Sequence, residues 1–159
     1  MKKILSLVAA ALVMGLSSLS AQALTATGTF PVTINFTSTC SISTAGLAPT
    51  FTYTSLQATA AAATGVLSFT VTCTNTAPYT LSLDAGGTGY TGTYTAPTGS
   101  YTDTASGLAY TLTLPTTTAG IGAAQTYSLS GSMAAGQAGT CGTLGGCSFV
   151  DNHTLTVTY

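Results

Sequence analysis

Apolar and polar residues alternate without a break from Ala26 to Cys40. The even positions are Ala26, Gly28, Phe30, Val32, Ile34, Phe36, Ser38 and Cys40. The odd positions are Thr27, Thr29, Pro31, Thr33, Asn35, Thr37 and Thr39. A period of two predicts an extended strand with one apolar face. At ~3.3 Å per residue the run would span about 50 Å, far beyond the usual five to six residues of a strand. One small sheet cannot use all of it. Pro31 cannot donate a ladder hydrogen bond, so the run is expected to divide near it.

Shorter segments of the same kind follow. Residues 50–54 form a brief candidate. Residues 65–74 form a strong one, with Val66, Phe69 and Val71 leading to Cys73. Residues 78–83 come after the turn-like Asn75-Thr76-Ala77. Residues 108–114 alternate through Leu108, Tyr110, Leu112 and Leu114, residues 126–132 more weakly. Residues 153–159 alternate through Leu155, Val157 and Tyr159, and the sequence ends inside this last strand. Short strands spaced by turn-rich segments predict an all-β sandwich. Residues 58–63 read as a helical turn without a convincing cap. Residues 86–103, with repeated Tyr-Thr and Gly-Thr, read as a loop or flexible hairpin, more often solvated surface than ligand site.

Residues 1–23 have the pattern of a secretory signal: Lys2-Lys3, an apolar stretch from Ile4 to Leu16, and the small-x-small site Ala21-Gln22-Ala23. The apolar stretch is too short for a membrane span, and no later window is long enough, so no membrane insertion of the mature chain is expected. Cleavage after Ala23 would leave 136 of the 159 residues, one ordinary domain with room for a core.

Composition then narrows the function. Past the leader there is no Lys, Arg or Glu. The titratable remainder is Asp84, Asp103, Asp151 and His153, so three Asp against no cation leave −3. Without a basic patch, binding to nucleic acid is excluded on electrostatic grounds. Low charge also lets copies approach one another. Asp151 and His153, two apart, share a strand face. They read as a polar strand entrance rather than a catalytic or metal pair. No nucleophile pattern, second base or third ligand accompanies them. Asp84 reads as a strand-end turn residue and Asp103 as a loop residue. The chain is therefore expected to be no enzyme, with no catalytic residue, cofactor or metal.

Four Cys in an exported chain suggest two disulfides, and three pairings are possible. Cys141 and Cys147 are close and separated by a glycine-rich stretch. Pairing them leaves Cys40 with Cys73. In the chain-entropy view the longer loop contributes about 3–4 kcal/mol and the shorter about 2 kcal/mol. Free pairs or a metal site are the alternatives, but C-x5-C without a nearby His is a poor zinc signature.

Thr27-Gly28-Thr29-Phe30-Pro31-Val32-Thr33-Ile34, leading to Cys40-Ser41-Ile42, resembles the start of the spore coat protein U-like family, which includes the pilin subunits of archaic chaperone–usher pili. Val71-Thr72-Cys73-Thr74-Asn75-Thr76-Ala77-Pro78-Tyr79 resembles its second-Cys block. Leu108-Ala109-Tyr110-Thr111-Leu112, Tyr127-Ser128-Leu129-Ser130-Gly131 and Asp151-Asn152-His153-Thr154-Leu155-Thr156-Val157-Thr158-Tyr159 are similar to later strands, in the same order. The chain departs from the family's pattern in its missing basic residues, its Tyr-rich segment, Pro31 and the extra pair Cys141 and Cys147.

The resemblance implies an incomplete immunoglobulin-like β-sandwich completed by donor-strand exchange. Residues 24–33 would be the N-terminal donor strand, with Ala26, Gly28, Phe30 and Val32 as its inserted face, and residues 34–159 the pilin domain. Ile34 and Phe36 would then belong to the subunit's own first strand. Leu155, Val157 and Tyr159 of the last strand would line the acceptor groove. The implied partners are identical or related pilin subunits, a periplasmic chaperone and an outer-membrane usher. The implied location is the cell surface, reached through the periplasm, in a fimbrium serving adhesion and biofilm formation. One domain with its own donor strand fits a shaft subunit better than a tip adhesin. A spore-coat or surface-layer protein, and a secreted monomeric carbohydrate-binding sandwich, are the competing readings.

Overall fold

The structure is a computed structural model, and it describes residues 26–159. The expected signal at 1–23, and residues 24 and 25 of the expected donor strand, lie outside these residues. The chain divides into two units, with the boundary between Asn35 and Phe36.

The alternating segment, which runs through the first unit and past Asn35 into the second, is not a strand before Cys40. Residues 26–39 carry no strand, and the apolar side chains stand exposed: Phe30 is 82% exposed, Val32 71%, Ile34 83% and Phe36 77%. The expectation that Ile34 and Phe36 begin the subunit's own first strand is corrected, because that strand starts at Cys40. The physical reason is that a strand exists only as part of a pair. Alternation makes one face suitable for burial but supplies no partner for the backbone N–H and C=O groups.

The second unit is all β among the described residues. In chain order its strands are β1 Cys40–Ser43, β2 Ala48–Thr50, β3 Ala61–Ala62, β4 Thr64–Val66, β5 Ser68–Cys73, β6 Thr80–Leu83 and β7 Gly86–Gly87. There follow β8 Tyr90–Thr95, β9 Thr98–Asp103, β10 Ala109–Thr113, β11 Ala124–Ser128, β12 Ser130–Met133 and β13 Leu155–Thr158. Every pairing is antiparallel. One sheet runs β3-β12-β10-β9-β8-β7, another β1-β5-β11, and β13-β6 and β2-β4 form two-stranded ribbons. This is an immunoglobulin-like β-sandwich.

Alternation fixes the core. In β5, Phe69, Val71 and Cys73 point inward while Ser68 and Thr72 face out. In β6, Leu81 and Leu83 point inward, and in β10, Tyr110 and Leu112. Each such burial contributes about 1.5–3 kcal/mol. The predicted strand at 126–132 is in fact two strands. Buried Leu129 marks the point where the chain leaves β5's sheet for β10's, and its amide bonds the Leu67 carbonyl at 2.8 Å. Leu67 marks a similar change between β4 and β5. Strands that switch sheets in this way make the corners of sandwiches.

Two further expectations are corrected. Residues 51–54 are not a strand; β2 ends at Thr50. Residues 58–63 form no helical turn, and Ala61–Ala62 pair with β12 instead. Of the two readings of the Tyr-rich segment, loop or flexible hairpin, the hairpin holds: it is the regular hairpin β8–β9, not a solvated loop. Its inward residues Tyr90 and Tyr101 are 1% and 2% exposed.

Glycines make room for these rings. Gly92 pairs with Tyr101, and Gly99 lies between Tyr94 and Leu112 in the ladder. A Cβ at Gly92 would stand 2.5 Å from the Ser100 carbonyl oxygen and against the Tyr101 ring. Large and small residues thus interlock across the interior face. Tyr94 and Tyr101 also tie the layers together, donating to the Leu81 carbonyl at 3.2 Å and the Asp84 carbonyl at 2.9 Å.

Candidate functional site: an open edge and the polar cluster beside it

Among the strands that end their sheets, β1 and β13 stand out because they also lie side by side. β1 pairs only with β5, and β13 only with β6. No ladder joins the two. Each therefore keeps one edge of backbone donors and acceptors with no strand across it, the feature that strand addition exploits. In β13, Leu155 and Val157 are half-buried against the core, while Tyr159, just past the strand, is 63% exposed. The disulfide Cys40–Cys73 joins a directly registered pair of β1 and β5 and so anchors the β1 edge. Cys141–Cys147 closes a second, short loop, and no described cysteine is free. Ala26, Gly28, Phe30 and Val32 all sit in the exposed N-terminal segment.

The entrance to β13 is held by a group of side chains that the sequence does not announce. All three Asp and the one His of the described chain take part. The His153 ring packs, tilted, against Tyr90 and Tyr101, with centroids at 4.2 and 4.4 Å. Its Nδ1 lies 2.8 Å from Asp84 Oδ1, and its Nε2 lies 2.7 Å from the Tyr110 hydroxyl. That hydroxyl also lies 2.7 Å from Asp151 Oδ2. It has a single hydrogen, so it donates to one of these two partners at a time. Asp84 Oδ2 accepts from the Thr154 amide at 2.9 Å and from the Tyr90 hydroxyl.

Asp84 is thus the hub of the cluster rather than a mere turn residue. Asp103 is the last residue of β9, 6% exposed and bonded to the Ser106 amide, not a loop residue. Asp151 and His153 lie just before β13 rather than on it. They are brought together through Tyr110 instead of through a shared strand face. The parity of β9 carried a usable signal for Asp103, which falls in step with the inward Gly99 and Tyr101.

The environment shifts these groups in opposite directions. Burial raises Asp84's pKa, but hydrogen bonds from Tyr90, His153 and the Thr154 amide outweigh it and leave the carboxyl below its ordinary 3.8. Asp151 is pushed up by burial and by the neighbouring Asp103 carboxylate, and its Oδ1 is enclosed without a hydrogen-bond partner. Burial, with the Asp84 charge, pushes Tyr101 up to about 12; Tyr90 and Tyr110 are raised further.

The cluster has little to work with as a catalyst. Most polar atoms of the ring and carboxylates are engaged by one another or by nearby hydroxyls and amides, Asp151 Oδ1 excepted, and among the described residues no activated nucleophile joins them. Among the described residues no group of three or more His, Cys, Asp or Glu is arranged to hold a metal ion. Nor is any described helix long and apolar enough to cross a membrane.

The sequence matches the Spore Coat Protein U domain over residues 26–145, more than half of the chain. The chain belongs to the spore coat protein U domain family. Domains of this family occur in chaperone–usher pilin subunits. No curated protein and no solved structure matches the chain. The family match begins at Ala26, so it takes in the exposed alternating segment together with the sandwich up to the Cys141 loop.

Proposed function

We propose that this protein is a structural shaft subunit of an archaic chaperone–usher pilus that polymerises by donor-strand complementation. One observation carries the reading. The alternating apolar segment that begins at Ala26 is exposed and unpaired, while β1 and β13 lie side by side with one free edge each. In the assembled fibre, residues 24–33 of one copy would enter the cleft of the next and pair with these edges. Ala26, Gly28, Phe30 and Val32 would point inward, and Leu155, Val157 and Tyr159 would line the groove. The exposed apolar face continues through Ile34 and Phe36, so the inserted length can extend past residue 33. Backbone pairing supplies affinity and alternate side chains supply register. Contacts made head to tail without ring closure give an open filament.

A periplasmic chaperone would cover the groove until a sibling's segment replaces it, and an outer-membrane usher would pass the fibre to the cell surface, where it serves adhesion and biofilm formation. Family membership and the lack of a catalytic arrangement in the polar cluster both favour a structural role over an enzymatic one.

Co-expression with and without the cognate chaperone, followed by electron microscopy, tests the reading. Fibres are expected only with the assembly partners. Deleting residues 24–33 should give chaperone-bound subunits that accept a donor but cannot supply one. Normal fibres from the deletion, or a stable monomer that binds glycans without any chaperone, would refute it.

A further inference from the structure

The outer face of the large sheet is an uncharged array of hydroxyls. β8 presents Thr91, Thr93 and Thr95, β9 presents Thr98, Ser100 and Thr102, β10 presents Thr111 and Thr113, and β12 presents Ser130 and Ser132. Ala109 is the one exception on these four strands. The registers align them in rows: Thr93, Ser100, Thr111 and Ser132 form one, and Thr95, Thr98, Thr113 and Ser130 another. Neighbouring hydroxyls already meet across strands, Thr111 with Ser132 at 2.9 Å and Thr98 with Thr113 at 3.1 Å. The aromatic residues of these strands are on the other side, in or against the core.

We propose that this face is where one filament of the chain lies against another, copy against copy. The inference rests on the pilus reading above. A hydroxyl both donates and accepts, so a Ser/Thr face is complementary to itself and needs no partner of opposite sign. With no charge on the face, two copies meet without like-charge repulsion. With no exposed ring, the face offers a sugar nothing to stack on. The patch is small. Four strands ~4.8 Å apart and six residues of ~3.3 Å give roughly 400 Å², about half the ~800 Å² per partner of a stable pair. Single subunits therefore stay apart. Filaments repeat the contact along their length, and avidity gains of about 10²–10⁴ make it hold.

The test uses assembled filaments. Wild-type filaments are expected to form side-by-side bundles to the same extent at about 10 mM and about 1 M salt, where the screening length falls from ~30 Å to ~3 Å. The variant Thr91→Glu/Ser100→Glu/Ser132→Glu alters exposed positions that do not face one another in the ladder. It should give single filaments at low salt and regain bundles at high salt. If that variant makes no filaments, Ser100→Glu alone should show the same shift more weakly. Ser68→Glu/Thr72→Glu/Thr126→Glu, on the opposite layer, should bundle like wild type. Single wild-type filaments, unchanged bundling of the first variant at low salt, or lost bundling of the second would overturn the proposal. So would a first variant that loses adsorption to cellulose while still bundling. A chain that makes no filaments with its chaperone and usher fails the pilus reading instead.

Discussion

The Asp84 carboxylate accepts hydrogen bonds from a phenol, a backbone amide and an imidazole, contributed by Tyr90, Thr154 and His153. Replacing it with Asn keeps the shape and removes the charge. Hydrogen bonds to a charged group are worth about 1.5–3 kcal/mol, so Asp84→Asn should lower stability near neutral pH by about 2 kcal/mol, read from denaturant midpoints. The pH dependence has a definite sign. Asp84's folded pKa is below its ordinary 3.8, so its contribution is present above 3.8 and disappears as pH falls through the folded value. Asp151 behaves in the opposite way. Its folded pKa is above 3.8, so the folded state holds its proton more tightly, and stability is lost as pH rises from 3.8 through the folded value. Asp151→Asn should therefore gain on wild type as pH rises through that window, while Asp84→Asn should fall behind wild type as pH rises through its own. Denaturant midpoints measured from pH 3 to 7 check both; equal, parallel curves would show that neither carboxyl titrates differently in the fold.

In the β8–β9 hairpin, small residues leave space for rings. Gly92→Ala would push a methyl against the Ser100 carbonyl and the Tyr101 ring, which is buried among Tyr90, Tyr110 and His153. Overpacking of this kind costs about 1–3 kcal/mol, and with backbone on one side the expected loss is near the upper end. Gly142→Ala, with nothing within 4 Å of its added Cβ, should be nearly neutral. Thermal unfolding of the two variants separates them. The same hairpin marks where the sequence stopped being legible. Strands such as β5, β6 and β10 alternate Leu, Val or Phe against Thr and Ser, and their positions followed from that contrast. β8 and β9 alternate Tyr, Gly and Asp against Thr, so the inward positions look polar or small even though their period is two. The split at Leu129 was hidden for a related reason: the alternation runs on while the pairing partner changes. The cluster around His153 was illegible because its members come from four separate stretches of chain, joined only by the fold.

The leading segment belongs to the scale of the whole assembly. Alternation over residues 26–40 was plain in the sequence, yet residues 26–39 carry no strand; in the proposed donor-strand reading a strand forms there only against a neighbouring copy, which no pattern in one chain supplies. Phe30→Asp tests this directly. If Phe30 enters a groove, wild type gains about 1.5–3 kcal/mol from its burial, and an ionised carboxylate in the same place would have to be desolvated without a partner, at a cost of further kcal/mol. The combined change exceeds two powers of ten in the equilibrium for donor exchange, since each 1.4 kcal/mol is tenfold. The substitution lies outside the sandwich, so the variant should still fold, still form its Cys40–Cys73 disulfide and still bind the chaperone. It should accept a wild-type donor as well as wild type does, while failing to donate. Mixing the variant with wild-type subunits and measuring filament length gives the sharper reading. Joining a growing end means giving a segment to the chaperone-covered groove there, so a subunit that accepts but cannot donate can only be the first of a filament. Each variant taken up starts a new filament, and mean length should fall as the variant fraction rises. Unchanged lengths would show that Phe30 fills no pocket and that the register of insertion lies elsewhere on the exposed face, at Ile34 or Phe36.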